Sequence, residues 1–212
     1  MIANPVAYNS DQIRQINATL SDTELSASKW TDDKLDDIKA HIKQHYINEQ
    51  KYRCCYCQQA LLAHHGRVWD VEHIIPRSEK PKFMFHPKNL AVACVECNGS
   101  KSSIQVTDKD YVRFTEDGSK YKIVHPHLDQ FEDHIEIEGE YTYHALSKKG
   151  SFTIYHCDLF RFRQRESAIR RPIRDRRFER DIGELRYART RNEAAPIIAS
   201  IMAQIEIVEE GK

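Results

Sequence analysis

The spacing of apolar side chains changes character three times along the chain, and each change marks a boundary between kinds of structure. Up to residue 50 the period is helical: Ser28 is placed to cap a helix in which Trp30, Leu35, Ile38, Ile42 and Tyr46 recur mostly at three- and four-residue steps. A weaker helix is expected from about Ser10 to Leu20. Residues 51–106 lose that period. A β-type run, Arg67–Ile75, ends at Pro76, and a second apolar run, Leu90–Cys94, follows a polar loop carrying Pro81 and Pro87. A short helix is predicted from about Val95, with Gly99 as its weak point. Residues 107–155 hold short strand-like pieces, Tyr121–Val124, His134–Ile137 and Phe152–Tyr155, between turn signals at Asp117-Gly118 and Gly150. From His156 the pattern is helical again, with Leu159, Phe162, Ile169 and Ile173 among arginines and an interruption at Pro172. A last helix is expected over about Asn192–Val208.

The order predicts an α+β chain in three parts: an N-terminal helical segment, 1–50; a central segment, 51–106; and a mixed, mainly helical region, 107–212. With 40% apolar and 30% charged residues over 212 positions, the chain has material for a real core, which argues against disorder throughout. No apolar run approaches the roughly 18 to 20 residues that span a bilayer. The first ten residues lack the basic and apolar stretches of a signal peptide, so a cytoplasmic protein with no membrane partner is expected.

Net charge is zero, from 32 basic and 32 acidic residues, but the distribution is uneven. Nine arginines lie between Arg161 and Arg180 against Glu166, Asp175 and Glu179, whereas Asp129–Glu140 holds six acids and no Lys or Arg. The arginine stretch reads equally as a surface that tracks DNA or as a helix that pairs with an acidic partner. Within 51–106 eight basic residues face four acids, which suits contact with a phosphate backbone. Lys80, Lys82, Lys88 and Lys101 are candidates for those contacts, and a solvated basic face explains any one of them as well.

Six cysteines in a cytoplasmic chain point to metal chemistry more than to disulfides. Cys54-x-x-Cys57 and Cys94-x-x-Cys97 are separated by 36 residues, and each pair has the spacing that lets two thiolates converge on one tetrahedral ion. A structural zinc ion (Zn2+) is expected there. Cys55 and Cys157 read as ordinary thiols, and His125, His127, His134 and His156 as structural histidines.

Between the cysteine pairs stands Trp69-Asp70-Val71-Glu72-His73-Ile74-Ile75-Pro76, then Asn89-Leu90, then Cys94-Val95-Glu96-Cys97-Asn98-Gly99-Ser100-Lys101. This order of acid, His, Pro, Asn-Leu and Cys-x-x-Cys-Asn-x-x-Lys resembles the HNH endonucleases, whose core is a ββα-metal fold. The resemblance implies that His73 is the general base, and that Glu72 and Asn98 hold a catalytic divalent cation, most simply Mg2+, with Asp70 able to share or replace Glu72. It also implies that Asn89 orients the strand bearing His73. Glu72 stands where many members have Asp, and Asn98 where others have His.

The flanks His125-Pro126-His127-Leu128-Asp129-Gln130-Phe131, Ser147-Lys148-Lys149-Gly150 and Thr153-Ile154 resemble HNH proteins of bacterial anti-phage systems. These are the Septu-type nuclease subunits and their retron-associated relatives, and the likeness covers about 53–165. It implies a DNA endonuclease working in a complex with an ATPase of the SMC or ABC type. A non-catalytic zinc-dependent DNA-binding module and a free-standing restriction-type HNH enzyme are the other readings the residues allow.

Overall fold

In the computed structural model, which describes residues 1–61, 68–139, 141–163 and 176–210, the chain is a mixed α+β structure built as two compact units, Met1–Arg163 and Gln164–Lys212. Helix α1 (Ser10–Leu20) starts at a reciprocal cap: the Asn9 side chain accepts from the Asp11 and Gln12 amides, and the Gln12 side chain accepts from the Asn9 amide. Two 3-10 turns, Ala27–Thr31 and Asp33–Leu35, then precede α2 (Asp36–Glu49). The single helix expected from Ser28 is therefore broken. Asp32 takes an extended backbone and its carboxylate caps Lys34, which competes with a continuous helical ladder.

Helix α2 buries Ile38, Ile42 and Tyr46, at steps of four, against a β-hairpin. Its end is stitched to the hairpin by Gln50, whose side-chain amide both accepts from and donates to the backbone of Val92 at 2.8 Å. Tyr46 makes a second tie, donating to the Pro87 carbonyl at 2.6 Å and accepting from the Val6 amide at 3.1 Å.

The hairpin pairs β1 (Trp69–His73) with β2 (Leu90–Cys94) antiparallel, in a register from Trp69 opposite Cys94 to His73 opposite Leu90. Every residue of β2 is buried, so it is the central layer of the unit. Helix α3 (Val95–Lys101) follows β2 directly and covers the hairpin.

A second hairpin joins β3 (Ile135–Glu138) to β4 (Thr142–Ala145), with Gly139 at φ 61°, a left-handed position that suits glycine. Helix α4 (Lys148–His156) starts at the Ser147 cap and contains Phe152–Tyr155, which the sequence suggested as a strand. Its Thr-Ile pair looks strand-like, but Gly150, Thr153 and Ile154 form one buried helical face. A Cβ at Gly150 would stand 1.9 Å from the His134 carbonyl oxygen, so no larger residue fits this crossing.

Tyr121–Val124 is not a strand either. Only Tyr121 bridges, to Thr107, and the Val124 amide is taken by the Thr153 hydroxyl. In the second unit α5 (Arg176–Leu185) packs on α6 (Arg191–Glu210), where Ser200 donates to Asp181 at 2.6 Å. Most of the Arg161–Arg180 stretch, including Pro172, lies outside the described residues. Among the described residues no helix is long and apolar enough to cross a membrane.

His127 is buried against β2, its Nε2 donating to the Leu90 carbonyl at 2.7 Å. Burial holds its pKa down to about 4, below the ordinary 6.5. The native ring stays neutral while the unfolded one protonates, so the stability is complete above about pH 6.5 and is lost as the pH falls towards 4. Urea unfolding should show a lower midpoint at pH 5 than at pH 7, and His127→Gln should narrow that gap. An undiminished gap in the variant would place the acid sensitivity elsewhere.

Candidate metal centre and adjoining cleft

Two sharp turns present the cysteines. Cys54 and Cys57 lie in a knuckle closed by the Gln58 amide on the Cys54 carbonyl and by Gln58 in the left-handed region at φ 58°. Cys94 ends β2 and Cys97 lies in the first turn of α3, its amide donating to the Cys94 sulfur at 3.4 Å, while the Cys94 amide donates to the Cys54 sulfur at 3.3 Å. All four are buried and their sulfurs lie within 4.8 Å of one another. A tetrahedral zinc with Zn–S bonds of about 2.3 Å puts its thiolates about 3.8 Å apart, so the array fits that ion. Cys55 and Cys157 are buried thiols outside the group of four, and the Cys55 thiol hydrogen-bonds to Cys54. Among the described residues no second cluster of three or more His, Cys, Asp or Glu converges in this way.

The same hairpin and helix build a cleft of about 330 Å³ lined by Glu72, His73, Arg77, Asn98 and Ser102. Helix α3 lies over β1 so that two side chains three residues apart each meet an acid. Asn98 donates to Asp70 at 2.8 Å, and Lys101 reaches Glu72 at 2.7 Å. Since the Asn98 amide nitrogen faces Asp70, its carbonyl oxygen points elsewhere.

Glu72 and Lys101 are each 1% exposed. Burial raises the Glu72 pKa, opposed by the Lys101 ammonium and the Tyr56 hydroxyl. Both partners engage Oε1, Tyr56 at 2.9 Å, on a side chain that borders the cleft while staying almost wholly buried.

His73 is held by its neighbours. Nε2 lies 3.1 Å from the Met84 carbonyl, an acceptor, so the proton of the neutral ring sits on Nε2 and Nδ1 carries the free lone pair. Burial, assisted by the Arg77 charge, pushes its pKa down to about 3. Trp30 packs edge-to-face with the ring, the two centroids 4.5 Å apart. Asn89 does not line the cleft. It is fully buried across the loop, donating to the Ile75 and Phe83 carbonyls at 3.1 Å and accepting from the Ile75 amide at 2.8 Å, next to the end of β1.

The basic residues fall differently from their order in sequence. Lys80 pairs with Asp110, Lys88 with Glu116 and Lys101 with Glu72. Lys39 and Lys43 of α2 and Arg77 line a second cleft of about 430 Å³ that shares Val71, Arg77 and Asn98 with the first, and the Lys39 ammonium there pairs with Asp36 and donates to the Trp30 and Asp32 carbonyls. Sequence reasoning missed the two lysines because α2 reads as a packing helix far from the motif, and only the docking of α2 on β1 brings them there.

Together, a β-hairpin, a short helix and a buried four-cysteine array define a small α+β module with a site that fits zinc. No family model matches the chain. Its sequence is similar to that of Septu protein PtuB from Bacillus thuringiensis, with 27% identity over 116 residues, which are 55% of this chain and 40% of that protein. The similarity supports a relationship to Septu-type defence proteins.

The Glu72–Lys101 pair makes a clear energetic prediction. Lys101→Met strands a buried carboxylate and should cost about 3–5 kcal/mol. Glu72→Gln added to it should recover much of that loss in a urea double-mutant cycle. Additive losses would show that the two groups do not interact.

Proposed function

We propose that this chain is a metal-dependent HNH-type endonuclease that hydrolyses DNA, and that it is the nuclease component of an anti-phage system working with an SMC- or ABC-type ATPase. The observation that carries the reading is that Glu72, His73 and Asn98 line one cleft beside the cysteine cluster. The likeness to Septu protein PtuB supports the defence context and the complex.

In this reading the zinc is structural, because four cysteines fill its coordination shell. Glu72 and Asn98, with Asp70 beside them, would hold a divalent cation such as Mg2+, which when bound would supply charge neutralisation at the scissile phosphate. Two or three protein oxygens are a donor set that would suit such a hard cation. His73 accepts the proton of the attacking water at Nδ1, its ring neutral and fixed by the Met84 carbonyl. Asn89 acts at a distance, bracing the loop that follows β1. Lys39, Lys43 and Arg77 receive the phosphates that flank the cleavage point.

A second reading, a zinc-dependent DNA-binding module that does not cut, draws on the closed Glu72–Lys101 pair. A plasmid-nicking assay with Mg2+ or Mn2+ separates the two. Wild type should nick, and His73→Ala should lose at least about 100-fold, the usual worth of a general base. Undiminished cleavage in the variant removes His73 from the mechanism, and no cleavage by a metal-loaded wild type, alone or with its co-purifying ATPase, favours the binding module.

The cationic cleft has its own test. Lys39→Gln/Lys43→Gln should weaken DNA binding regardless of sequence and lower the slope of log K against log salt by about 1 to 2, the smaller value applying if the Asp36 pair keeps Lys39 from phosphate. An unchanged slope would take these lysines off the phosphate path.

A further inference from the structure

Arg161 opens the arginine-rich stretch, yet its guanidinium is turned to the cysteine cluster. Nη2 donates to the Cys97 sulfur at 3.1 Å and to the Cys94 sulfur at 3.6 Å. Nη1 is fixed by the Cys157 and Asp158 carbonyls at 2.8 and 2.7 Å, in the turn that follows α4. The guanidinium also lies 4.3 Å over the Phe162 ring, and Nε is 3.7 Å from Glu96. The side chain is only 14% exposed.

Withdrawing a guanidinium from water is costly unless a negative partner compensates it. The Glu96 carboxylate approaches it from beyond hydrogen-bond reach and is itself half in solvent. Neutral thiols are weak acceptors and do not supply that partner. Four cysteinates around one zinc ion do, since the assembly carries a net charge of about −2. A planar fork that donates to two of the sulfurs while anchored by its other nitrogen has the form of an outer-sphere partner, which orients metal ligands and tunes their basicity.

We propose that Arg161 is an outer-sphere residue of the metal centre, neutralising the Cys94 and Cys97 thiolates and setting how tightly the ion is held. The proposal rests on reading the cysteine cluster as a zinc site. It also gives the cluster a second role. Arg161 lies 64 residues beyond Cys97, so keeping the metal and docking the turn after α4 become one event.

The test uses the full chain. Zinc-loaded wild type, Arg161→Met and Arg161→Lys are mixed with a competing chelator and the release of metal is timed. Arg161→Met should release zinc about tenfold faster or more, with Arg161→Lys in between. In the cobalt-substituted proteins the sulfur-to-metal charge-transfer band should move to lower energy in Arg161→Met, because thiolates without N–H donors are better electron donors. Simple loosening of the turn after α4 would leave that band in place. If Arg161→Met does not fold, Arg161→Lys carries both readouts. Release and band unchanged from wild type overturn the role of Arg161, while a wild-type chain that binds no metal overturns the cluster reading and this proposal with it.

Discussion

Four thiols gathered within 4.8 Å of one another hold the two ends of the central segment together, and most of what surrounds them follows from that closure. Cys94 is both the last residue of β2 and the N-cap of α3, so the knuckle that carries Cys54 is joined to the point where strand becomes helix. A seven-residue helix has little stability of its own. Fastened at its first turn through Cys97, it can be laid over β1 with Asn98 and Lys101 directed at Asp70 and Glu72.

That arrangement sets a balance of charge in the cleft. Glu72 is buried with one cation, Lys101, and one hydroxyl donor, Tyr56, on a single oxygen. Buried ion pairs contribute little net stability compared with apolar packing, so their presence at a cleft is more readily understood through chemistry there. His73 next to it is kept neutral and tautomerically defined, and Trp30 limits its rotation. In the proposed reaction a neutral ring of fixed tautomer presents Nδ1 to water, and an anionic phosphate in the cleft would raise the basicity that burial and the Arg77 charge hold down.

Much of this was legible in the sequence for identifiable reasons. The two apolar runs and the helix after them are marked by Pro76, the cysteine spacing and the switch of period, and the hairpin and α3 formed where those signals lie. Local patterns failed where a side chain or a distant element decided the backbone. Asp32 broke the helix expected from Ser28, and the strand-like Phe152–Tyr155 became helical because Gly150 lets α4 pass the His134 carbonyl. Contacts between distant segments left no trace in any motif. Examples are the α2 lysines beside the cleft, the Tyr56 hydroxyl on Glu72, and Arg161, whose position in an arginine run concealed its approach to sulfur.

Whether the cysteine cluster supports the cleft is tested most directly by amide hydrogen exchange with and without bound zinc. Removing the metal should strip protection first from the Leu90–Lys101 amides of β2 and α3, while α1, capped by its own residues, keeps its protection under the same conditions. Protection across Leu90–Lys101 that is unaltered by metal removal would contradict the central claim that this cluster holds the cleft in place.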